Sequence, residues 1–229
     1  MNKISCIICA FNEETRISVV LTALFAHPLI EEVIVVNDGS TDSTKKIVEQ
    51  SKWVKLISHE KNLGKSQAMC AGIQNSQNDL LMFLDADLKN ITKDDITALA
   101  MPILENKSDI TISVRKNSFL LYRIMGLDFV SGERVISKKY LINYIKDIRQ
   151  LPSYGVEVFI NKIIIRKKLR VKMVNWKNVS IINKVTKVGF WKGVKGEIRM
   201  IKDICKVISF KEILSQNYQL IKLSKPRVD

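Results

Sequence analysis

The sequence predicts an α/β fold in which a doubly wound, mostly parallel sheet carries helices on both faces, continued by a basic C-terminal helical extension. Short apolar runs rich in β-branched residues alternate with segments whose apolar residues recur at helical intervals. Apolar strands that alternate with helices imply a parallel sheet covered on both sides. A chain of 229 residues with 46% hydrophobic residues can bury one sizeable core.

The first half of the chain supplies these elements in regular order. The run from Lys3 to Cys9 predicts a strand, and apolar residues at helical spacing predict a helix between Glu13 and Ala26. Ser40 or Thr41 is placed to cap a helix that follows a second strand. The remaining predicted strands are Glu32 to Val36, Val54 to Ser58, Leu80 to Leu84 and Ile110 to Val114, and the helices are Asp42 to Gln50, Ser66 to Asn75 and Thr92 to Glu105.

The second half is less regular. It predicts helices at Lys138 to Ile148 and Gly155 to Arg166 and a strand at Arg170 to Trp176. From Gly196 to Leu223, isoleucines recur at helical intervals with lysines between them. This segment fits an amphipathic helix on a membrane surface, or a packed helix with a solvated basic face. We expect one domain over residues 1–195, with halves 1–115 and 116–195, and a C-terminal extension over 196–229.

The distribution of charge along the chain and the number of cysteines indicate which kinds of protein the sequence can encode. The net charge is +14, yet residues 1–112 hold 15 Asp/Glu against 11 Lys/Arg and residues 113–229 hold 8 against 26. Such asymmetry favours an acidic catalytic half and a basic half that meets phosphate, nucleic acid or an anionic membrane, although an AT-rich genome also enriches lysine. Four cysteines in apolar surroundings argue for reduced thiols and against a disulfide framework.

The sequence also predicts where the chain is found. No uninterrupted apolar run approaches the roughly 20 residues that a membrane span needs. The first residues lack the long apolar stretch of a secretory signal. We therefore expect a cytoplasmic protein.

Polar residues follow the predicted strands directly. Ligands of an open parallel sheet bind beyond the carboxyl ends of its strands, so these residues are the first candidates for a site. Asp38 follows the second strand, and Asp85 and Asp87 follow the apolar run LLMFL. Two carboxylates separated by one residue can hold one hard cation that keeps further positions for phosphate oxygens and water. Such a cation offsets charge on a departing nucleotide diphosphate.

The segments IICAFNEE, VVNDGSTDST, NLGKSQAMCAGI and LMFLDADL resemble, in order and spacing, the nucleotide-binding half of family 2 glycosyltransferases with the GT-A fold. The resemblance implies Mg²⁺ or Mn²⁺ as cofactor and a nucleotide-sugar donor. It implies nucleoside contacts from Cys9, Phe11 and Glu13 and a contact of Asp38 with the base. Lys65 would bind the ribose or phosphates, and Asp85 with Asp87 the ribose, metal and diphosphate. The downstream metal-ligand histidine frequent in the family is missing, because both histidines precede Asp85.

Two later segments resemble the polyprenyl-phosphate and glycolipid-forming branch of that family. They are SGERVIS, from Ser131 to Ser137, and YGVEVFI, from Tyr154 to Ile160. A hydroxyl acceptor needs a positioned base, for which Glu157 is the first candidate and Glu133 the second, with Asp87 as the other catalytic carboxylate. The simpler alternatives are that Glu133 pairs with a neighbouring cation and that Glu157 faces solvent. A phosphate monoester acceptor needs no base, since its second pKa is near 6.

The resemblance thus implies transfer of a hexose from a UDP- or GDP-sugar, with inversion, to a lipid acceptor such as a polyprenyl phosphate or a glycolipid hydroxyl. The basic half then predicts peripheral binding to the anionic inner face of the cell membrane. A soluble saccharide of a surface polymer is the next acceptor. The alternative from another class is a nonenzymatic module that binds RNA or anionic lipid. Trp176 and Trp191, interleaved with lysines, fit base stacking, a membrane interface or simple core packing.

Overall fold

The computed structural model describes residues 3–115, 132–152, 155–181 and 202–225. Its strands are β1 (Ile4–Ala10), β2 (Ile30–Asp38), β3 (Lys55–His59), β4 (Leu80–Asp85), β5 (Leu88–Lys89), β6 (Ile110–Arg115), β7 (Arg134–Ser137), β8 (Val171–Trp176) and β9 (Ser180–Ile181). Its helices are α1 (Ile17–Leu24), α2 (Thr44–Gln50), α3 (Lys65–Asn75), α4 (Lys93–Leu104), α5 (Ile145–Arg149), α6 (Val156–Arg166) and α7 (Phe210–Ser224). A further helical segment covers residues 202–207.

Seven strands form one sheet in the order β3-β2-β1-β4-β7-β6-β8. The strands β3, β2, β1 and β4 pair in parallel, whereas β7 runs antiparallel to both β4 and β6. The short strands β5 and β9 pair separately. This confirms the predicted doubly wound, mostly parallel sheet. The chain reverses its direction of winding between β1 and β4. In doubly wound sheets the ligand crevice lies at that point, outside the carboxyl ends of the strands.

The two faces of the sheet bury two apolar clusters, because successive side chains of a strand point to opposite faces. Alternate residues of β1 therefore separate, with Cys6 in the cluster under α1, α2 and α4, and Ile7 in the cluster under α3 and α6. Gly72 of α3 lies so close to β1 that an added Cβ would stand 2.4 Å from Ile7 Cγ2. This close packing of α3 on β1 holds the amino end of α3 at the edge of the sheet where the parallel strands end.

Several helices and strands differ from their predicted ranges, and the local structure explains each difference. The first helix begins at Ile17, because a turn closed by the Ile17 N–H and the Glu13 carbonyl precedes it. The predicted cap by Ser40 or Thr41 is wrong, since α2 begins at Thr44 without a side-chain cap. The predicted helix from Lys138 to Ile148 is two 3₁₀ turns followed by the short α5. The strand β7 replaces a segment to which the sequence pattern assigned no element.

The C-terminal region packs on this domain. Helix α7 opens with a capping box between Ser209 and Glu212 and lies against α6 and β8. Its residues Ile213 and Leu220 are buried. Residues 196–201 of the predicted extension lie outside the described residues, so the division at residue 195 stays a prediction. Within the described part of the chain, no helix has both the length and the apolar composition to cross a bilayer.

Candidate active site

The candidate site lies at the switch point between β1 and β4. Cys9 near the end of β1 is paired in register with Asp85 at the end of β4. Burial raises the pKa of the Cys9 thiol to about 12, with Asp85, Asp38 and Glu157 acting in the same direction and Lys65 opposing them. The Cys9 side chain is therefore an uncharged thiol beside Asp85. Its predicted contact with a nucleoside stays a prediction.

The loops after β1 and β2 are bonded to each other. The backbone N–H of Thr41 donates to Asn12 Oδ1 at 2.8 Å, and the N–H of Asn12 donates to Ser40 Oγ at 3.0 Å. These bonds explain why Ser40 and Thr41 do not cap α2. Glu13 is buried, and its N–H donates to Thr44 Oγ1 at 2.7 Å.

Phe11, beside the Asn12 turn, leaves 43% of its surface exposed at the rim. An exposed aromatic ring at that position can pack against a planar ligand. Glu13, in contrast, is buried and helps to hold the loop after β1 against Thr44. The predicted nucleoside contacts of Phe11 and Glu13 both stay predictions.

Asp38 organises the loop that leads into α3. Its carboxylate accepts the backbone N–H groups of Leu63 at 3.0 Å and Gly64 at 2.8 Å, and it lies 2.7 Å from His59 Nδ1. The carboxylate is nearly fully buried, so these bonds hold the loop in one conformation. Asp38 thus shapes the wall of the crevice, and a direct bond to a base stays a prediction.

A glycine allows the same loop to approach β2. Gly39 has φ +69°, and an added Cβ would lie 2.3 Å from the carbonyl carbon of Lys61. Only glycine combines that backbone conformation with so close a contact. The sequence pattern indicated Asp38. At the sequence level His59 fits either a general base or, more simply, a surface histidine at a strand end, whereas the structure leaves only 16% of its side chain exposed and places it against Asp38. The signal for Gly39 was the Asp-Gly pair at the end of the strand.

An ion-paired cluster forms the centre of the site. Lys65, the first residue of α3, places Nζ 2.8 Å from Asp85 Oδ1 and 2.7 Å from Glu157 Oε1. Burial opposes the charge of the ammonium, but the carboxylates of Asp85 and Glu157 outweigh it and raise the pKa of Lys65 well above its ordinary value. Lys65 therefore stays cationic between two anions that come from β4 and α6.

Glu157 is drawn into the site instead of facing water. Its side chain is only 3% exposed, so the alternative that it faces solvent on its helix is wrong. Its second oxygen, Oε2, is buried and has no hydrogen-bond partner among the described residues. A buried carboxylate oxygen without a partner is costly unless something donates to it, and such atoms recur at functional sites.

Behind this cluster lie three further residues of the segment before and within β7. A Cβ on Gly132 would stand 2.7 Å from Asp85 Oδ1 and 2.9 Å from Lys65 Nζ, so only glycine leaves room for that ion pair. Glu133 is fully buried, and its carboxylate accepts the Ser113 hydroxyl at 2.7 Å. In this structure Glu133 has no exposed oxygen to offer a substrate, and the role of a base for it stays a prediction.

Arg134 is a basic residue of the site that the sequence pattern did not indicate. It is fully buried, and its Nη1 donates to Asn161 of α6 at 3.4 Å. Burial lowers the pKa of the Arg134 guanidinium, while Glu157, Glu133 and Asp85 oppose that effect. Its positive charge offsets the mutual repulsion of these carboxylates. Arg134 lies in the segment SGERVIS, which at the sequence level supported only the family resemblance.

Asp87 lies two residues past β4 and is half-buried at the rim. Among the residues described, no cluster of three or more His, Cys, Asp or Glu side chains is arranged to hold a metal. Metal binding by Asp85 and Asp87 stays a prediction. Trp176 is buried and its indole N–H donates to the carbonyl of Asp95 at 3.1 Å, which supports core packing, whereas Trp191 lies outside the described residues.

The family model described as "Glycosyl transferase family 2" matches residues 5–170, well over half of the chain. The chain belongs to glycosyl transferase family 2. The matched range contains every strand that converges on the crevice, together with Lys65, Asp85, Asp87 and Glu157.

Relatives of this family 2 chain include a dodecaprenyl-phosphate galacturonate synthase of Rhizobium johnstonii, 29% identical over 177 residues that cover 73% of this chain and 50% of that protein. An uncharacterized protein of Methanocaldococcus jannaschii is 30% identical over 67% of this chain and 78% of its own length. The chain thus spans about half the length of the Rhizobium protein.

Among solved structures, glucosyl-3-phosphoglycerate synthase of Mycobacterium tuberculosis, in complex with Mn²⁺, UDP-glucose and phosphoglyceric acid, superposes with a TM-score of 0.70. The identity is 22%, and the match covers 90% of this chain and 79% of that one. This confirms the GT-A fold of the family 2 chain.

Proposed function

We propose that this family 2 chain transfers a hexose from a UDP- or GDP-sugar to a membrane lipid acceptor, with inversion at the anomeric carbon. The observation that carries the proposal is the cluster in which Lys65 bridges Asp85 and Glu157 at the carboxyl edge. It joins a donor-side carboxylate from β4 to an acceptor-side carboxylate from α6. Transfer of a sugar between two substrates needs both sides within one crevice.

The donor side has groups for each part of a sugar nucleotide. Asp38 and the loop it holds form one wall, and Phe11 offers an exposed ring at the rim. The ammonium of Lys65 stands at the amino end of α3, where the helix dipole also favours a diphosphate. UDP is supported as the nucleotide by the similar Mycobacterium structure, which was solved in complex with UDP-glucose.

Asp85 and Asp87 fit a divalent cation by their chemistry, since carboxylate oxygens suit Mg²⁺ or Mn²⁺ and two of them leave positions for phosphate oxygens and water. A cation held there would neutralise charge on the departing nucleotide diphosphate. Lys65 contributes positive charge at the same place from the protein itself.

Glu157 is the proposed base for a hydroxyl acceptor. The acceptor oxygen attacks the anomeric carbon as the bond from that carbon to the diphosphate oxygen breaks, and the hydroxyl proton passes to Glu157. Its Oε1 is held by Lys65, and its Oε2 has no hydrogen-bond partner among the described residues, so a proton on Oε2 would break no bond of the described site. One displacement from the face opposite the leaving group inverts the anomeric configuration.

The name of the Rhizobium relative, a dodecaprenyl-phosphate galacturonate synthase, supports a polyprenyl phosphate as the acceptor. A phosphate monoester is already an anion near neutral pH and attacks without a base. Glu157 would then position Lys65 and not accept a proton. A lipid acceptor implies work at the inner face of the cell membrane, where anionic lipids attract the basic second half of the chain.

The test is a donor and acceptor panel. Release of nucleotide from UDP- and GDP-hexoses is measured with Mn²⁺, alone and with a short polyprenyl phosphate or a glycolipid. We expect acceptor-dependent release with one donor, and loss of transfer to a hydroxyl acceptor but not to a phosphate acceptor in Glu157→Gln. No nucleotide release or binding with any donor would reject the enzyme, and tight RNA binding instead would promote a nonenzymatic basic module.

A further inference from the structure

Helix α7 carries two apolar stripes, of which the domain covers only one. Ile213 and Leu220 face the domain and are buried. Leu214, Tyr218 and Ile221 recur at intervals of four and three residues and are 46%, 70% and 46% exposed. Residues at that spacing share one helix face. The described part of the domain therefore leaves this second stripe largely open to solvent.

Basic side chains border this stripe. A surface groove of about 1050 Å³ runs from α7 to the amino ends of β6 and β8, and it is lined by Lys107, Lys168, Arg170, Lys172, Lys222 and Lys225 with Glu105 as the acid. Carboxylates compensate part of this charge, since Lys107 pairs with Glu105 at 2.7 Å and Arg170 with Asp109 at 3.0 Å. The exposed Lys172, Lys222 and Lys225 leave the groove strongly positive.

The stripe extends along the flank of the molecule. Gln216 of α7 donates to the carbonyl of Val158 at 3.1 Å, in the turn of α6 that carries Glu157. The far end of α7 borders the groove at Val171, where β8 begins. The strand β6 runs parallel to β4, because both are antiparallel to β7. The groove therefore lies at the edge opposite the active site, and the stripe connects the two ends.

We propose that Leu214, Tyr218 and Ile221, with Lys172, Lys222 and Lys225, form a docking face for a bilayer of anionic lipids. Apolar side chains at helical spacing insert shallowly, while flanking lysines meet the lipid phosphates. A bilayer lying along α7 contacts the flank of the molecule. The active-site edge then lies at the height of the membrane surface. A second copy is a poor occupant, since a two-fold pairing would bring two sets of lysines together.

This inference deepens the proposed function, since a lipid acceptor requires membrane contact. Vesicle binding is measured without donor or acceptor, so the two proposals fail separately. The full chain is sedimented with phosphatidylcholine vesicles, with and without about one third phosphatidylglycerol. We expect binding only to the anionic vesicles, weakening as salt rises.

Two triple variants separate the contributions of charge and apolar surface. Each is paired with a control of the same chemistry on the side of the sheet that carries α1 and α2. The charge variant is Lys172→Glu/Lys222→Glu/Lys225→Glu, with Lys45→Glu/Lys46→Glu/Lys52→Glu as control. The apolar variant is Leu214→Ser/Tyr218→Ser/Ile221→Ser, with Val19→Ser/Phe25→Ser/Trp53→Ser as control. Circular dichroism and nucleotide affinity report whether each variant is folded.

We expect the charge variant to bind anionic vesicles at least about tenfold more weakly than its control, since each lysine near an anionic surface adds severalfold to binding. The apolar variant should also bind more weakly than its control. Equal binding of variant and control, or of anionic and neutral vesicles, would overturn the docking face. If the apolar variant only converts a dimer to a monomer in sedimentation velocity, a second copy is the occupant and the proposal is wrong.

Discussion

Removal of the Lys65 ammonium tests whether the site is held together by charge. In Lys65→Met, an unbranched apolar side chain replaces the group that lies 2.8 Å from Asp85 Oδ1 and 2.7 Å from Glu157 Oε1. Methionine keeps the helix propensity and most of the volume of lysine. The substitution therefore leaves the two carboxylates facing each other without that cation.

The magnitude follows from burial. Removing one partner of a buried ion pair costs about 3–5 kcal/mol, because the remaining charge stays buried and uncompensated. Glu157 is 3% exposed, whereas Lys65 and Asp85 are 24% and 25% exposed and are partly screened by water. We expect the lower end, about 3 kcal/mol in the free energy of unfolding. For a domain of this size that lowers Tm by about 6–12 °C.

The assay is a double-mutant cycle in urea at neutral pH, with Lys65→Met, Glu157→Gln and the double variant. Removing both charges should recover at least about 1 kcal/mol relative to the sum of the single effects, since residues in contact couple by about 0.5–3 kcal/mol. The matched control is Lys55→Met, because Lys55 is 41% exposed and lies 3.9 Å from Glu32. Glu32 is 11% exposed, but the Lys55 ammonium is solvated, so its removal should cost only about 0–1 kcal/mol.

Additive single effects would refute the coupling between Lys65 and Glu157. An effect of Lys65→Met no larger than that of Lys55→Met would show that the cluster is solvated like a surface pair. Either result removes the observation on which the proposed function rests.

The other predictions concern single residues of the site and its surroundings. Asp87→Asn should abolish donor turnover and the effect of Mn²⁺ on nucleotide affinity while leaving the fold intact, and full activity in excess EDTA would reject the metal assignment. Gly132→Ala should lower turnover at least about tenfold with little change in Tm, because the new methyl group displaces Asp85; normal kinetics would contradict that contact. Asp38→Ala should weaken UDP or GDP binding by about 1–3 kcal/mol, since two loop N–H groups lose their acceptor, and unchanged calorimetric affinity would count against it. With a thiol reagent at mildly alkaline pH, we expect one fast thiol, the exposed Cys205, because burial keeps the other three cysteines protonated or out of reach; a second fast thiol would contradict the described burial.

The first half of the fold could be predicted from the sequence because its signals are local. An apolar run followed by a helical period identifies a strand and a helix within about ten residues of each other. Parallel strands then bring their carboxyl ends to one edge, which placed Asp38 and Asp85 near each other without knowledge of the sheet order. The order itself, with β1 and β4 adjacent, follows the pattern of doubly wound sheets.

The second half could not be predicted in the same way, because its elements depend on what they pack against. Arg134 lies in a four-residue strand that forms only between β4 and β6. In the sequence, the exposed and the buried stripe of α7 form one broad apolar pattern. Only the packing of α7 against its neighbours determines which stripe is buried.

The sequence alone therefore determined the parallel sheet, the positions of Asp38 and Asp85 at strand ends and the family resemblance, since each depends on contiguous residues. Only the tertiary structure decided that Glu157 meets Lys65, that Glu133 is enclosed, and that Gly132 must lack a side chain. Glu157 is 92 positions beyond Lys65 in the chain. Contacts across such a separation depend on how helices pack over the sheet, and a local periodicity carries no information about that packing.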